Sequence, residues 1–432
     1  MSEQNEYNRW FVVVGAILIQ LALGTIYCWG VLTVFISDPG LLTGVPATTT
    51  VYVFGVGLAS FAVVMILAGQ LQQKIGPMKT SILGGVVLGV GVMSSAAAAS
   101  FETLLLTYGV IFGAGIGLGY VCPIATAAKW FPDKKGFING IAVAGFGAGA
   151  FIFNYVIKAL ANPSGLDVLD PGFHDAMVAN IPTMFLVLGA IYAAMVIVGA
   201  ITLKLPPEGW KPAGWEPPAP KEGEVAPTHA DWTPGEAIRT PQFWMLWAMF
   251  VMSAISGLMV IGSFAKFAKD TGGGASYLYP ELAGLDFAMV GGIAALLNGL
   301  GRVVWGKACD VVGYKKAMLS MFSVQGVIMI LYFFTNSSAA AYVALTGAIY
   351  FCFGGNFSMF PTATADAFGS KNLGPNYGVV FTAYGIAGFL GATMVQTFVT
   401  AFGSYMVLFI VMGALSLASA GISVAFKPPV KQ

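Results

Sequence analysis

GKACDVVGYKK, at residues 306–316, repeats in outline an earlier stretch of the same chain, GQLQQKIGPMK, at residues 69–79. Each stretch joins two long apolar runs, carries two glycines seven residues apart and ends in lysine. A second pair of stretches, 128–145 and 366–385, also occupies matching positions between apolar runs. Repeated halves in an apolar chain are typical of membrane transporters, whose binding site lies between the halves. The chain is therefore predicted to be an internal duplication.

The apolar runs themselves determine the fold class. The 432 residues are 57% hydrophobic and 9% charged, and the mean hydropathy is +0.80. A helix needs about 20 apolar residues to cross a membrane, whereas strands of a barrel would be about 10 residues of alternating character. We therefore predict an all-α membrane protein with twelve transmembrane helices, at approximately 10–35, 49–72, 78–100, 103–128, 136–160, 179–204, 241–268, 285–308, 314–337, 339–365, 374–400 and 403–426.

Residues 205–240 interrupt this pattern with a segment rich in proline, glycine and charge, which is typical of a solvated linker. The predicted domains are a six-helix bundle at 1–204, the linker at 205–240 and a second six-helix bundle at 241–432. The two bundles are expected to be related by pseudo-symmetry, as in transporters built from parallel repeats.

The positive charges predict the orientation of these helices. If both termini are cytoplasmic, sixteen Lys and Arg residues lie on the cytoplasmic side and only Lys158, Lys266 and Lys269 lie outside. This bias follows the positive-inside rule and predicts a multi-pass protein of the cell membrane with cytoplasmic N- and C-termini. The first apolar run has full transmembrane length, so no cleavable signal peptide is expected. The expected partners are the lipid bilayer and a small solute, with no nucleic acid.

Arg302 is the residue that most directly suggests a function. It lies inside the apolar run 285–308, where a cation costs about 2.5–3.5 kcal/mol and usually marks the path of a substrate or ion. All nineteen Asp and Glu residues fall in loops, termini or helix ends, so none is an obvious partner. Asn298 lies four residues earlier, on the same helix face. A planar guanidinium matches a carboxylate, so we predict an anion site. The alternative is that Arg302 extends to the surface near Lys307.

Aromatic side chains inside the predicted helices could form the wall of such a site. The spacing of Phe353 and Phe357 puts both on one helix face. The other candidates are Tyr27, Trp29, Tyr120, Phe381 and Tyr384. Aromatic residues in membrane helices also serve simply as core or lipid-facing residues, so this alternative stays open.

Several motifs make the chain resemble a known family. The pattern at 306–316, with Gly306, Asp310, Gly313, Lys315 and Lys316, resembles the signature of the major facilitator superfamily, which implies a role in gating. In the first copy, Gln73 and Lys74 stand where an Asp-Arg pair is usual. The stretches WFPDKKG at 130–136, RTPQFW at 239–244, FPTATADAFG at 360–369 and NYG at 376–378 resemble the oxalate/formate antiporter family, which is related to the monocarboxylate porters.

This resemblance implies roles for individual residues. In the oxalate/formate antiporter an arginine on helix 8 and a lysine on helix 11 bind a dicarboxylate. Arg302 matches the arginine, but Tyr384 stands in place of the lysine. The resemblance also implies an aromatic cage formed by Tyr27, Tyr120, Phe353, Phe357 and Phe381.

One fixed cation neutralises one carboxylate, and a second would lie buried without a partner at a cost of several kcal/mol. The predicted substrate is therefore a monocarboxylate such as lactate, pyruvate, formate or acetate, rather than oxalate. Many monocarboxylate porters carry an acid one turn from the helix-8 arginine, where this chain has Asn298. Three modes stay open: proton symport, for which Asp286 and Asp366 at helix ends are the candidate carboxylates, anion exchange and uniport.

Other classes of protein fit the sequence less well. A receptor would need a domain through which to signal, and none is predicted. An enzyme would need a nucleophile with a base or a metal cluster, and the four cysteines form no CxxC pair while the two histidines are isolated. No cofactor, metal or catalytic residue is therefore predicted. Within the transporters, the alternatives are an oxalate/formate-type antiporter and a carrier of another solute, such as a sugar or drug.

Overall fold

The computed structural model describes residues 7–29, 32, 36, 47–165, 173–207, 209–212, 214–216, 231–271, 287–334 and 339–430. The long helices of the first half are α1 (Trp10–Leu23), α2 (Ala47–Ile75), α3 (Pro77–Ser94), α4 (Phe101–Trp130), α5 (Lys135–Ala161) and α6 (Phe173–Ile201). Those of the second half are α7 (Pro241–Thr271), α8 (Phe287–Val312), α9 (Tyr314–Tyr332), α10 (Ala339–Phe368), α11 in two segments (Leu373–Val380 and Thr382–Phe402) and α12 (Tyr405–Ala425).

Each predicted transmembrane segment coincides with one of these helices. Within the described ranges, ten helices are long and apolar enough to cross a membrane. The other two predicted segments, 314–337 and 374–400, correspond to α9 and α11. The all-α membrane fold predicted from the apolar runs is confirmed. Residues 217–230 of the linker lie outside the described part of the chain, and the domain boundaries 1–204 and 241–432 stay a prediction.

The duplication is visible in the way the helices pack. In the first half α1 packs against α5 and α6, α2 against α4, and α3 against α6. In the second half the corresponding pairs are α7 with α11 and α12, α8 with α10, and α9 with α12. Gly76 and Gly313, which correspond in the repeated stretches, have φ angles of 87° and 83° just before α3 and α9 begin. Glycine adopts this left-handed region without a steric penalty.

The two halves meet along two equivalent seams, α5 against α8 and α2 against α11. Gly136 and Gly306 lie in backbone contact at the first seam, where a Cβ on either residue would collide with the carbonyl of the other. Gly69 and Gly374 make the matching approach at the second seam. Small residues allow such close contact between membrane helices, where lipid competes equally well for larger apolar side chains. Both glycine contacts lie on the side of the molecule from which the linker leaves, which we call the linker side.

Two helices are irregular where they pass the centre of the molecule. After Leu23, α1 tightens into a 3₁₀ turn over Gly24–Cys28, and α11 is interrupted at Phe381 between its two segments. Non-helical backbone at membrane depth is tolerated where protein surrounds it, and transporters commonly place their binding sites at such points. The predicted segment 374–400 thus forms a helix in two parts that meet at Phe381.

Candidate substrate site

Arg302 lies at the centre of the molecule, on α8, and its side chain is 0% exposed. Its Nε donates to Oδ1 of Asn298 at 3.1 Å, and its Nη1 donates to the carbonyl oxygen of Val143 on α5 at 2.8 Å. Its Nη2 has no hydrogen-bond partner in the described structure. The side chain thus turns back along its own helix and does not extend to the linker-side surface near Lys307.

Asn298 fixes the orientation of the guanidinium. Its Nδ2 donates to the carbonyl oxygen of Tyr350 at 3.1 Å, so its Oδ1 faces Arg302. Glycines on α5 allow that helix to come close enough to contribute. A Cβ at Gly140 would collide with the Arg302 carbonyl, and one at Gly147 would lie 3.1 Å from Asn298 Oδ1. The close approach of α5 therefore brings the Val143 carbonyl into hydrogen-bond range.

Aromatic rings hold the positive charge from two sides. The guanidinium carbon lies 4.3 Å from the centroid of Phe357 on α10 and 5.2 Å from that of Phe146 on α5. A desolvated cation gains about 2 kcal/mol or more from the negative face of an aromatic ring. Arg302 makes no ion pair with any residue that the structure describes. Its charge is therefore partly stabilised but not neutralised.

The structure brings together the aromatic residues that the sequence predicted, with one exception. Tyr27 and Tyr384 share a hydroxyl–hydroxyl hydrogen bond of 2.5 Å between α1 and α11. The remaining ring contacts link Phe353 to Phe357 at 5.2 Å, Phe357 to Tyr384 at 5.2 Å, Phe381 to Tyr384 at 4.9 Å and Tyr120 to Phe381 at 5.2 Å. Trp29 instead packs against Tyr108, away from this cluster.

Two tyrosine hydroxyls add hydrogen-bonding capacity beside the arginine. Tyr120 and Tyr377 lie beside each other and within electrostatic range of Arg302, and neither hydroxyl makes a hydrogen bond of normal geometry in the described structure. Both side chains are at most 1% exposed. Buried hydroxyl groups ordinarily find partners, so groups left without one at a site require an explanation. Together with Nη2 of the Arg302 guanidinium, these two hydroxyls form a set of buried hydrogen-bond donors.

Several of these contributors were not singled out by sequence reasoning. Tyr377 lies one turn before Phe381, so its position in the NYG motif could have indicated it. Val143 and Phe146 reach the site only because α5 packs against α8, and no local pattern marks them. Asp286 lies outside the described residues, and Asp366 is exposed near the end of α10. Among the described residues, no group of three His, Cys, Asp or Glu side chains could hold a metal ion.

The residues of the predicted gating motif lie at the linker side of the α5–α8 seam. Oδ1 and Oδ2 of Asp310 accept hydrogen bonds from the backbone N–H groups of Gly136 and Phe137, at 2.9 and 2.8 Å. The carboxylate thus caps the N-terminus of α5, where the helix dipole favours negative charge. Lys315 and Lys316, in the first turn of α9, make no ion pair with the residues described.

The other seam has a neutral contact in the corresponding place. Gln73 Nε2 donates to Asn372 Oδ1 at 3.1 Å, and Asn372 is the residue that precedes α11. One seam is thus held by a carboxylate across the interface and the other by a pair of amides.

Comparison with known proteins identifies the family. The profile of the Major Facilitator Superfamily matches residues 13–392. The chain belongs to the major facilitator superfamily. It is therefore a multi-pass membrane transporter and not an enzyme, and the two pseudo-symmetric six-helix bundles are those of the major facilitator fold.

Individual members of the superfamily are similar to the chain over most of their lengths. The apicoplast pyruvate carrier 1 of Toxoplasma gondii is 27% identical, over 87% of this chain and 81% of the carrier. The oxalate:formate antiporter of Oxalobacter formigenes is also 27% identical, over 92% of this chain and 86% of the antiporter. The solved structure of the proton:xylose symporter XylE has a TM-score of 0.71 at 14% identity, and covers 98% of this chain and 96% of its own. The last comparison concerns the fold alone.

Proposed function

We propose that this major facilitator transporter moves a small monocarboxylate anion, such as lactate, pyruvate, formate or acetate, by alternating access. The observation that carries the proposal is the set of donors at the centre of the molecule. Arg302 Nη2 and the hydroxyls of Tyr120 and Tyr377 are buried, and none of the three makes a hydrogen bond of normal geometry in the described structure. Both tyrosines lie within electrostatic range of Arg302. A carboxylate offers two oxygens that accept several hydrogen bonds, and it pairs with a guanidinium in a planar geometry.

The number of cations at the site favours a single carboxylate. Arg302 supplies one positive charge, and Tyr384 supplies a hydroxyl at the position where the family resemblance expects lysine. A monoanion would neutralise Arg302. A dianion would leave one carboxylate buried among aromatic rings without a counter-charge, which costs several kcal/mol.

The size of the site favours a small substrate. The rings of Phe357, Phe381, Tyr384 and Tyr120 lie in mutual contact around the arginine, with centroids 4.9 to 6.3 Å apart between neighbours. These are ordinary distances for packed aromatic pairs, so little space lies between them. The names of the pyruvate carrier and of the oxalate:formate antiporter, whose sequences are similar to this chain, support a small carboxylate as the substrate class.

The two seams suggest how binding is linked to movement. Residues from α1, α4 and α5 and residues from α8, α10 and α11 meet at the site, so an anion there would contact both bundles (proposed boundaries 1–204 and 241–432). Such an anion favours whichever arrangement gives it contacts from both halves, because a ligand shifts an equilibrium only through differential affinity. Because Asn298 cannot take up a proton beside Arg302, we favour exchange of anions over symport with a proton held at that residue. We further propose that the linker side is cytoplasmic, following the positive charges.

The test is uptake of labelled lactate into proteoliposomes by wild type and by Arg302→Gln. Loss of charge-assisted hydrogen bonds worth about 1.5–3 kcal/mol each should lower uptake by at least about tenfold. Lys307→Gln is the matched control, since it removes a cation five residues further along the same helix, and should transport normally. Normal uptake by Arg302→Gln would contradict the proposal. Equal competition by a neutral sugar and by pyruvate would contradict the substrate class.

A further inference from the structure

A surface pocket of about 330 Å³ lies on the linker side, at the seam between α2 and α11. It is formed by the α2–α3 turn, the end of α4, Leu205 after the end of α6, and the α10–α11 turn with the beginning of α11. Its side chains belong to both halves of the molecule: Gln72, Gln73, Thr126 and Lys129 from the first, and Ser370, Lys371 and Asn372 from the second. The pocket is separate from the central site around Arg302.

The chemistry of the lining suits an anion. The lining includes Lys129 and Lys371 and no Asp or Glu. Two helices begin at its wall, α3 at Pro77 and α11 at Leu373, and helix N-termini attract negative charge. Asp231 of the linker accepts a hydrogen bond from the backbone N–H of Lys371 at 3.1 Å, but it does not line the pocket.

An unpartnered amide lies in the same pocket. The side chain of Gln72 is 8% exposed, and its amide makes no hydrogen bond with a residue that the structure describes. The amide nitrogen lies against Gly374, where a Cβ would collide with it. The amide carries two donors and an acceptor, and Gln72 lines the pocket, so these groups are available to a ligand there. A ligand in the pocket would provide an acceptor for these donors.

The other seam shows what kind of ligand fits. There, Asp310 places its carboxylate on the N-terminus of α5, with bonds of 2.9 and 2.8 Å to Gly136 and Phe137. The repeated stretches put Gln73 in the position of Asp310, so α11 has no carboxylate of its own at the equivalent place. Asp310 is therefore an internal example of a carboxylate at the start of such a helix. At α11 the matching N–H donor is that of Gly374 alone, because Pro375 stands in the place of Phe137 and has no N–H.

We propose that this pocket is a second anion site, in which a small carboxylate from the linker-side solution takes the place that Asp310 occupies at the other seam. Lys129 and Lys371 attract the anion, and the Gln72 amide and the backbone N–H of Gly374 donate to it. Because these groups come from both halves, the bound carboxylate holds the α2–α11 seam closed. Carboxylate on the linker side thereby slows the opening of that side. The site does not depend on the assignment of Arg302.

The experiment uses the full chain in nanodiscs with Arg302→Gln, so that central binding is removed. Thermal unfolding is followed as sodium lactate replaces sodium chloride at constant ionic strength. A ligand that binds only the folded state raises the melting temperature. We expect Arg302→Gln to keep a lactate-dependent rise. Adding Lys129→Gln and Lys371→Gln should weaken the apparent affinity at least about tenfold, whereas adding Lys79→Gln, which removes an exposed lysine outside the pocket, should not change it.

A second variant tests the comparison with Asp310. Gln73→Asp supplies a carboxylate from the chain itself. In the Arg302→Gln background it should therefore raise the melting temperature without lactate and abolish the further rise with lactate. Each variant is compared with its own lactate-free melting temperature, so a general loss of stability is not mistaken for a loss of lactate binding.

Three results would refute the proposed anion site. The first is that lactate no longer raises the melting temperature of Arg302→Gln. The others are that lactate raises it as much after Lys129→Gln and Lys371→Gln are added, or after Gln73→Asp is added. A larger rise with inorganic phosphate than with lactate would overturn the carboxylate assignment in favour of a phosphate or a lipid headgroup. Normal lactate uptake by Arg302→Gln would refute the proposed role of Arg302 in transport, but it would not contradict the second anion site.

Discussion

The hydrogen bonds of Asp310 predict how tightly the linker side of the α5–α8 seam is held. Replacing Asp310 by Asn keeps one side-chain oxygen for the N–H of Gly136. It also turns an amide NH₂ toward the N–H of Phe137 and removes the negative charge from the N-terminus of α5. If the linker side opens by separating α5 from α8, only the closed arrangement loses these interactions. Asp310→Asn should therefore increase the open population.

The magnitude follows from what is lost. A hydrogen bond to a charged group contributes about 1.5–3 kcal/mol, and a charge at a helix terminus contributes about 0.3–1 kcal/mol. Asp310 is partly accessible to solvent, which weakens both terms. We expect a net change of about 1–2 kcal/mol, which corresponds to a roughly 5- to 30-fold shift of the equilibrium toward the open arrangement.

Spin labels placed across the seam provide the assay. Lys134→Cys, before α5, and Lys316→Cys, in the first turn of α9, are both exposed positions on opposite sides of it. The four native cysteines are buried, so the labels attach to the introduced pair. Pulsed electron–electron double resonance in nanodiscs should show a larger fraction of long distances between the two labels in Asp310→Asn. The matched control is Gln73→Ala, which removes one neutral hydrogen bond at the other seam and should change this distance distribution little. An unchanged distribution in Asp310→Asn would refute the reasoning.

Two further substitutions test the central site. Asn298→Asp would place a carboxylate beside Arg302, where it can pair with the guanidinium and compete with the substrate. Lactate uptake at a fixed pH should therefore fall below that of wild type; uptake equal to wild type would contradict a direct role for Arg302. Tyr384→Lys adds a second cation, so oxalate should compete better against lactate than it does in wild type, while Tyr384→Phe should show no such gain. If oxalate competes no better in Tyr384→Lys than in wild type, the number of cations does not determine the preference for a monocarboxylate.

Opening of the linker side requires that both seams separate on that side, and their chemistry differs in this chain. Asp310 holds one seam with a fixed charge, whereas Gln73 and Asn372 hold the other with a neutral bond. The lysines near the second seam make it sensitive to anions in solution. The linker is attached beside this seam, because the backbone N–H of Trp232 donates to the carbonyl of Phe368 at 3.0 Å. Anion binding and linker position therefore act on the same end of α11.

The sequence alone predicted the membrane helices, the duplication and the shared face of Asn298 and Arg302. The lengths of the apolar runs predicted the membrane helices, and the repeated stretches predicted the duplication. The i, i+4 spacing placed Asn298 and Arg302 on one face, and the structure joins them by a hydrogen bond of 3.1 Å. These features follow from the thickness of a bilayer and from 3.6 residues per helical turn, which hold whatever the neighbouring helices do.

The tertiary structure decided what surrounds the arginine. The Val143 carbonyl and the Phe146 ring reach Arg302 because glycines let α5 approach α8, and Tyr377 on α11 is buried within electrostatic range of Arg302. Trp29 packs against Tyr108, away from the site, although the sequence made it a candidate alongside Tyr27. Asp310 meets the beginning of α5 more than 170 residues away in sequence. Such contacts depend on how helices from two halves pack, and helix packing is a property of complementary surfaces that no local pattern encodes.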